Sequence, residues 1–139
     1  MVILASCSTM APPPKAQRAY LNIAALQLYP LIEKVFEKEG FRTADRNYGR
    51  GYIRTEWLEY EGDRHGFVKW KERRRYVALF DIDRISGKHL LILGLDVQEK
   101  APASSEWREK EIDKSSDTEY QRILEALDEA VKNKGGLLV

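Results

Sequence analysis

An α+β domain is the fold class predicted by three features of the sequence. These are an apolar stripe at helical spacing from Ala24 to Phe36, strand-like segments from Phe41 to Gln98, and a second helical stripe from Tyr120 to Val131. Each helix carries one apolar face and the strands between them share one, so all three are buried when both helices lie across the same side of the sheet. The expected architecture is an antiparallel β-meander of about four strands with two helices packed on one face, in the order α-β-β-β-β-α.

The first helix follows from Leu28, Leu31, Ile32, Val35 and Phe36, with Glu33, Lys34, Glu37 and Lys38 opposite them. Pro30 is costly inside a helix, so Leu28–Glu39 is the secure part, and Gly40 is the expected left-handed stop. Arg18–Ile23 fits either a short strand or a first helical turn. Phe41–Asp45 reads as a strand, Arg46–Gly51 as a turn rich in residues that tolerate positive φ, and Tyr52–Tyr60 as a half-buried strand. From Phe67 to Asp83, Val68, Trp70, Tyr76, Ala78, Phe80 and Ile82 keep one register, which Glu72 and Arg74 interrupt; that predicts a bulge or break near residues 72–74. Lys88–Gln98 is apolar on both faces, with Leu91, Leu93, Leu95 and Val97 on one and Leu90 and Ile92 on the other, as in a central, covered strand. Glu99–Ser115 is a long polar loop holding the isolated Trp107. Ser116-Asp117-Thr118-Glu119 has capping-box spacing and opens a helix ending near Asn133, and Leu137–Val139 forms a frayed or edge-packed tail.

The 139 residues, 43% hydrophobic and 32% charged, suffice for one core. Twenty-three basic residues against 22 acidic ones leave a net charge of +1, so no overall field draws the chain to nucleic acid, which is not an expected partner. The single cysteine excludes an intrachain disulfide, and His65 and His89 stand without a second histidine or cysteine at ligand spacing; no metal and no cofactor is expected. The nearest paired carboxylates, Asp81/Asp83 and Glu109/Glu111, are ordinary solvated pairs, and no nucleophile–base arrangement is visible, so the chain is read as no enzyme.

At the N-terminus, Leu4-Ala5-Ser6-Cys7 resembles the bacterial lipobox, in which a signal peptidase cuts before a cysteine that then carries lipid. The apolar run before it is shorter than a full signal segment, so residues 1–6 are expected to be the remnant of a lipoprotein signal peptide. Residues 7–17 then form an acylated cysteine and a Pro-rich leash, and residues 18–136 the single α+β domain. The resemblance implies lipidation of Cys7 and an anchor in the outer membrane on its periplasmic face.

Leu28–Trp57 also resembles the repeating module of BamC, the C component of the outer-membrane β-barrel assembly machinery. There an amphipathic helix ends in Gly-Phe, a strand and an Asp-Arg turn follow, and a Gly leads into a second strand; Gly40-Phe41, Asp45-Arg46 and Gly49–Thr55 fit that order. The resemblance implies a helix-on-sheet lipoprotein domain working through contacts with other envelope proteins.

The dense basic run Lys69, Lys71, Arg73, Arg74 and Arg75 puts its odd members on one strand face, where they either meet phosphates of lipid headgroups, lipopolysaccharide or nucleic acid or pair with Glu56, Glu59 and Glu61 across a hairpin. Trp57 and Trp70 fall in register with apolar neighbours and are expected in the core, whereas Trp107 either anchors its loop or presents a contact. Lys69, Lys71, Arg73, Arg75 and Trp107 are therefore the candidate partner or ligand contacts. The expected function is that of a non-enzymatic envelope lipoprotein acting as an accessory or scaffold through protein contacts; the alternative is a periplasmic lipid- or glycan-binding module with a cavity gripped between helices and sheet.

Overall fold

Two long neighbouring strands organise the structure, a computed structural model that describes residues 15–139. They are β5 (Val68–Ile82) and β6 (His89–Lys100), paired antiparallel without interruption from Lys71 opposite Lys100 to Ile82 opposite His89. Along β6 every odd residue from His89 to Glu99 is buried and every even one is half-buried, the signature of a sheet with one covered face. Around this pair come β1 (Lys15–Leu21), α1 (Ala25–Lys38), β2 (Thr43–Asn47), β3 (Tyr52–Thr55), β4 (Leu58–His65), β7 (Arg108–Glu109), α2 (Lys114–Asn133) and β8 (Leu137–Leu138). Among the described residues the strands form an antiparallel sheet of order β2-β3-β5-β6-β1-β8, with β4 beside β5 and β7 beside β6.

Both helices cover the odd face of β6. From α1, Phe36 stacks on Tyr76 at 5.7 Å between ring centres; from α2, the Tyr120 hydroxyl donates to the Leu93 carbonyl. Tyr20, Tyr76, Tyr120, Phe36, Phe41, Leu28 and Ile32 are all fully buried there. The helices run antiparallel, since Arg122 near the middle of α2 reaches Glu39 at the end of α1 while Asn22, ahead of α1, donates to the Gly135 carbonyl after α2. No described helix is long and apolar enough to cross a membrane.

The mixed class and the two helices on one face agree with the sequence; the strand count and order do not. The sheet is larger than four strands because β1 precedes α1 and β8 follows α2, pairing with each other at Tyr20–Leu138 and Leu21–Leu137. Lys15–Gln17, expected in the leash, are already strand, and the C-terminal tail is an edge strand. Pro30 is tolerated inside α1 because it lies on the exposed side, as does Leu26, whose carbonyl loses its intrahelical partner. The expected break at residues 72–74 is absent; the irregularity falls on β4, between Glu61 and Arg64. Helix α2 starts three residues earlier than expected because Asp113 and Ser116 form the capping box: the Asp113 carboxylate accepts from the Ser116 amide at 2.9 Å, and Ser116 Oγ accepts from the Asp113 amide at 3.0 Å. Glu119 is used elsewhere.

Glu72 and Arg74 keep their places on the inner face, 3% and 4% exposed, because a polar network replaces apolar packing there. Arg74 Nε donates to Glu72 at 2.6 Å, Nη1 to Glu119 at 3.2 Å and Nη2 to Ser115 Oγ at 3.2 Å. Tyr60 and Tyr76 donate their hydroxyls to the two Glu119 oxygens, and Lys110 donates to Glu72, Asp113 and Asp63. The network ties β5 to the first turns of α2, so removing one charge strands the others in a poorly solvated site.

Two outcomes follow. Replacing Arg74 with Met leaves Glu72 and Glu119 without their shared cation and is expected to cost about 3–5 kcal/mol in urea unfolding. Asp113→Ala is expected to cost about 1 kcal/mol at neutral pH through loss of the cap. Burial works against the ionised Asp113 carboxyl, but the Ser116 amide, the Lys110 ammonium and the Ser116 hydroxyl hold its pKa down to about 2. A depressed carboxylate stabilises the fold above its unfolded value, near 3.9, and loses that contribution as pH falls towards 2. The stability gap between parent and Asp113→Ala should thus be flat above pH ~5 and close between pH ~4 and ~2 in pH-dependent denaturation.

Candidate interaction face

The even residues of β6 and the odd residues of β5 point away from the helices and form a second face with no described element over it. At its centre Leu79 pairs with Ile92 and with Tyr52, Val77 with Gly94, and Leu90 with Ala19. Leu79 is 43% exposed and Ile92, Leu90, Val77 and Tyr52 are half-buried, so they form a contiguous apolar stripe across three strands. Arg54 borders the stripe opposite Val77, and its enclosed Nε has no hydrogen-bond partner.

Towards the Lys100 end the stripe gives way to stacked rings and guanidinium groups. The Arg73 guanidinium carbon lies 4.2 Å from the Trp57 ring centre and 4.4 Å from that of Trp107; Arg75 lies 4.3 Å from Trp57. Arg73 also donates from Nε and Nη2 to Gln98, Arg75 reaches Asp96 at 3.0 Å, and the Lys100 ammonium sits 5.4 Å from the Trp107 ring centre. Alternation on the strand places Arg73 and Arg75 on one side, and the backbone pairings of Arg73 with Gln98 and Arg75 with Asp96 supply their acceptors. Burial against the rings, then the neighbouring Arg75 charge, lower the Arg73 pKa from its ordinary value. The guanidinium nonetheless stays charged at any physiological pH.

Of the candidate residues, Trp107, Arg73 and Arg75 are thus brought together. Lys69 and Lys71 share their face but lie further along, where Lys69 pairs with Glu61 at 2.7 Å, as the cross-hairpin reading anticipates. Arg74, between them in sequence, belongs to the buried inner network. Trp107 is a loop anchor: it stacks on Arg73, and the following β7 pairs with Gln98 and Glu99, so the long loop is divided into the stretches 101–107 and 110–113. Trp57 and Trp70 are not core residues. Trp57 joins the outer ladder, and Trp70 is half-buried near the β4–β5 tip between His65, 4.1 Å between ring centres, and Arg108, 4.4 Å from its ring. Cys7 lies outside the described residues.

The inner network has the residue types of an acid–base site, yet its groups are driven away from neutrality. Burial and then Glu119 push the Tyr76 hydroxyl far up, and Tyr60 is raised by burial and its hydrogen bond to Glu119. Lys110 is also raised, its carboxylate partners outweighing the burial that opposes them. Both phenols therefore remain proton donors and the ammonium remains charged at pH 7, where a general acid or base would need to exchange its proton. His89 is buried, its Nε2 3.0 Å from the Ile23 carbonyl. Among the described residues no group of three or more His, Cys, Asp and Glu side chains is placed to hold a metal ion. A groove of about 400 Å³ between α1 and α2, floored by Leu31, Val35, Ala126 and Ala130, opens on the solvent side of the helices rather than between them and the sheet.

Trp107→Ala removes the ring that ties the loop to Arg73 and Lys100. The expected outcome is faster amide exchange confined to residues 101–107, with a stability loss of about 1 kcal/mol. Hydrogen-exchange mass spectrometry checks the location and urea unfolding the magnitude.

No family model matches the chain, and no curated protein matches it. Among solved structures, a DUF4468 family protein from Bacteroides ovatus is similar over 86% of this chain and 81% of that one, with 10% sequence identity and a TM-score of 0.43.

Proposed function

We propose that this domain is a non-enzymatic contact module of the bacterial cell envelope, anchored to the outer membrane by lipid on Cys7, that docks other envelope proteins on the outer face of its sheet. The observation carrying the reading is that face: an apolar stripe of Tyr52, Val77, Leu79, Leu90 and Ile92, flanked by the Trp57–Arg73–Trp107 stack and uncovered by either helix. Apolar centres rimmed by aromatic and arginine groups are the usual composition of protein contact sites. The filled helix–sheet interior favours this reading over a gripped lipid or glycan, because large side chains occupy the space a ligand would need. The acid–base behaviour of the inner network supports a structural role for those residues, and the lipid anchor rests on the lipobox resemblance.

Two measurements test the parts separately. Metabolic labelling with a clickable fatty acid should mark the full-length protein expressed in its native host and leave Cys7→Ser unmarked; no label on the parent removes the anchor. A photo-crosslinking amino acid at position 79 should form discrete protein adducts in intact cells, while the same group at exposed position 85, beyond the far end of β5, should not. Equal or absent adducts at both positions would remove the docking face.

A further inference from the structure

The β4–β5 hairpin carries its most exposed apolar side chain at its tip. His65 pairs with Val68 across the two-residue turn Gly66-Phe67, and Gly66 takes the positive φ of 71° that such a turn requires. Phe67 is 99% exposed and Val68 48%, so the tip places an aromatic ring and a branched aliphatic group in water with nothing described against them. The stem beneath is braced. Trp70 is held between His65 and Arg108, and Lys69 pairs with Glu61. Gly62 passes so close to the Trp70 carbonyl that a Cβ there would sit 2.7 Å from it.

Charge around the tip is asymmetric. Among the described residues Arg64 and Lys71 are exposed with no ion-pair partner, and Lys69 stands on the same stem; Glu61 and Asp63 are taken up by Lys69 and Lys110, and Glu99 lies 3.5 Å from His65. At the turn at the opposite end of β5, Ile85 is fully exposed too, but Asp81 and Asp83 there balance Arg84 and Lys88. Chain direction singles out the same end. Lys15 opposes Gly94 and Tyr20 opposes His89, so β1 enters the sheet from the Lys100 side, the side from which the hairpin projects. Covalent geometry limits the chain from Cys7 to Lys15 to roughly 28 Å, and β5 rises roughly 30 Å from Val77, level with Lys15, to Val68. At full extension an anchor at Cys7 would therefore end roughly level with the tip, about 2 Å short of Val68.

From these observations we infer that the Phe67–Val68 tip, with Arg64, Lys69 and Lys71, is a contact for an anionic phospholipid surface. The ring enters the interfacial zone and the basic side chains meet the headgroup phosphates. This deepens the envelope reading, and it is tested without the lipid anchor so that the two fail separately. The full chain carrying Cys7→Ser is sedimented with vesicles of phosphatidylcholine alone or mixed with phosphatidylglycerol. Binding is expected to the phosphatidylglycerol vesicles, weakening with salt, and to fall about tenfold on Phe67→Ser and on the double change Arg64→Gln, Lys71→Gln. Ile85→Ser should bind as the parent does. Phe67 touches nothing described, so its replacement leaves the fold intact, as circular dichroism would confirm. Equal binding by Phe67→Ser and the parent, or no binding to either vesicle, would overturn the inference; the second result would leave the tip as an anchor for a protein partner.

Discussion

The unbroken pairing of β5 with β6 is the constraint on which everything else depends. A two-residue period forces each strand to serve two environments, and a register slip of one residue would exchange them. Because the pairing holds over its whole length, Tyr76, Leu91, Leu93 and Leu95 all meet the helices, while Leu79, Ile92, Arg73 and Arg75 all meet solvent. Core and contact face are thus consequences of one hydrogen-bond ladder.

The inner face is not uniformly apolar, and its polar part has a definite place. Near the Ala78 level it is filled by rings and aliphatic groups; towards Glu72 it becomes the network joining Arg74, Glu119, Lys110 and two phenols. That network is satisfied at nearly every atom and spans β4, β5 and α2, elements far apart in sequence. Its cost of desolvation is offset only when the strand register and the start of α2 are both correct, so it penalises alternative packings. The outer face is stiffened differently, by Trp57 and Trp107 lying on Arg73, which also holds the loop before β7 in place.

Which parts of this were legible follows from how local each signal is. Both helices are written in their own sequence, and β6 announces itself through alternating leucines. The register of β5 was readable too, but Glu72 and Arg74 looked like an interruption because the partners that make them acceptable, Glu119 and Lys110, lie in α2 and its approach. Strands β1 and β8 were open alternatives at Arg18–Ile23 and Leu137–Val139, because what decides them is pairing with each other and with β6, which lies far away in sequence. For the candidate site, alternation correctly grouped Arg73 with Arg75 and set Arg74 apart. It misplaced Trp57, which lies between β3 and β4, where strand parity does not carry across the bend. The start of α2 was displaced because Asp113 and Ser116 compete for the role read at Ser116 and Glu119, and Glu119 is claimed by Tyr60, Tyr76 and Arg74.

The two-faced sheet is the central claim, and methyl NMR with a soluble paramagnetic probe tests it most directly. The account predicts strong broadening of the Leu79, Leu90 and Ile92 methyl signals, with Leu91, Leu93 and Leu95, on the opposite face of β6, left sharp. Equal protection of both sets would mean that the outer face is covered in the molecule itself, and would contradict the account.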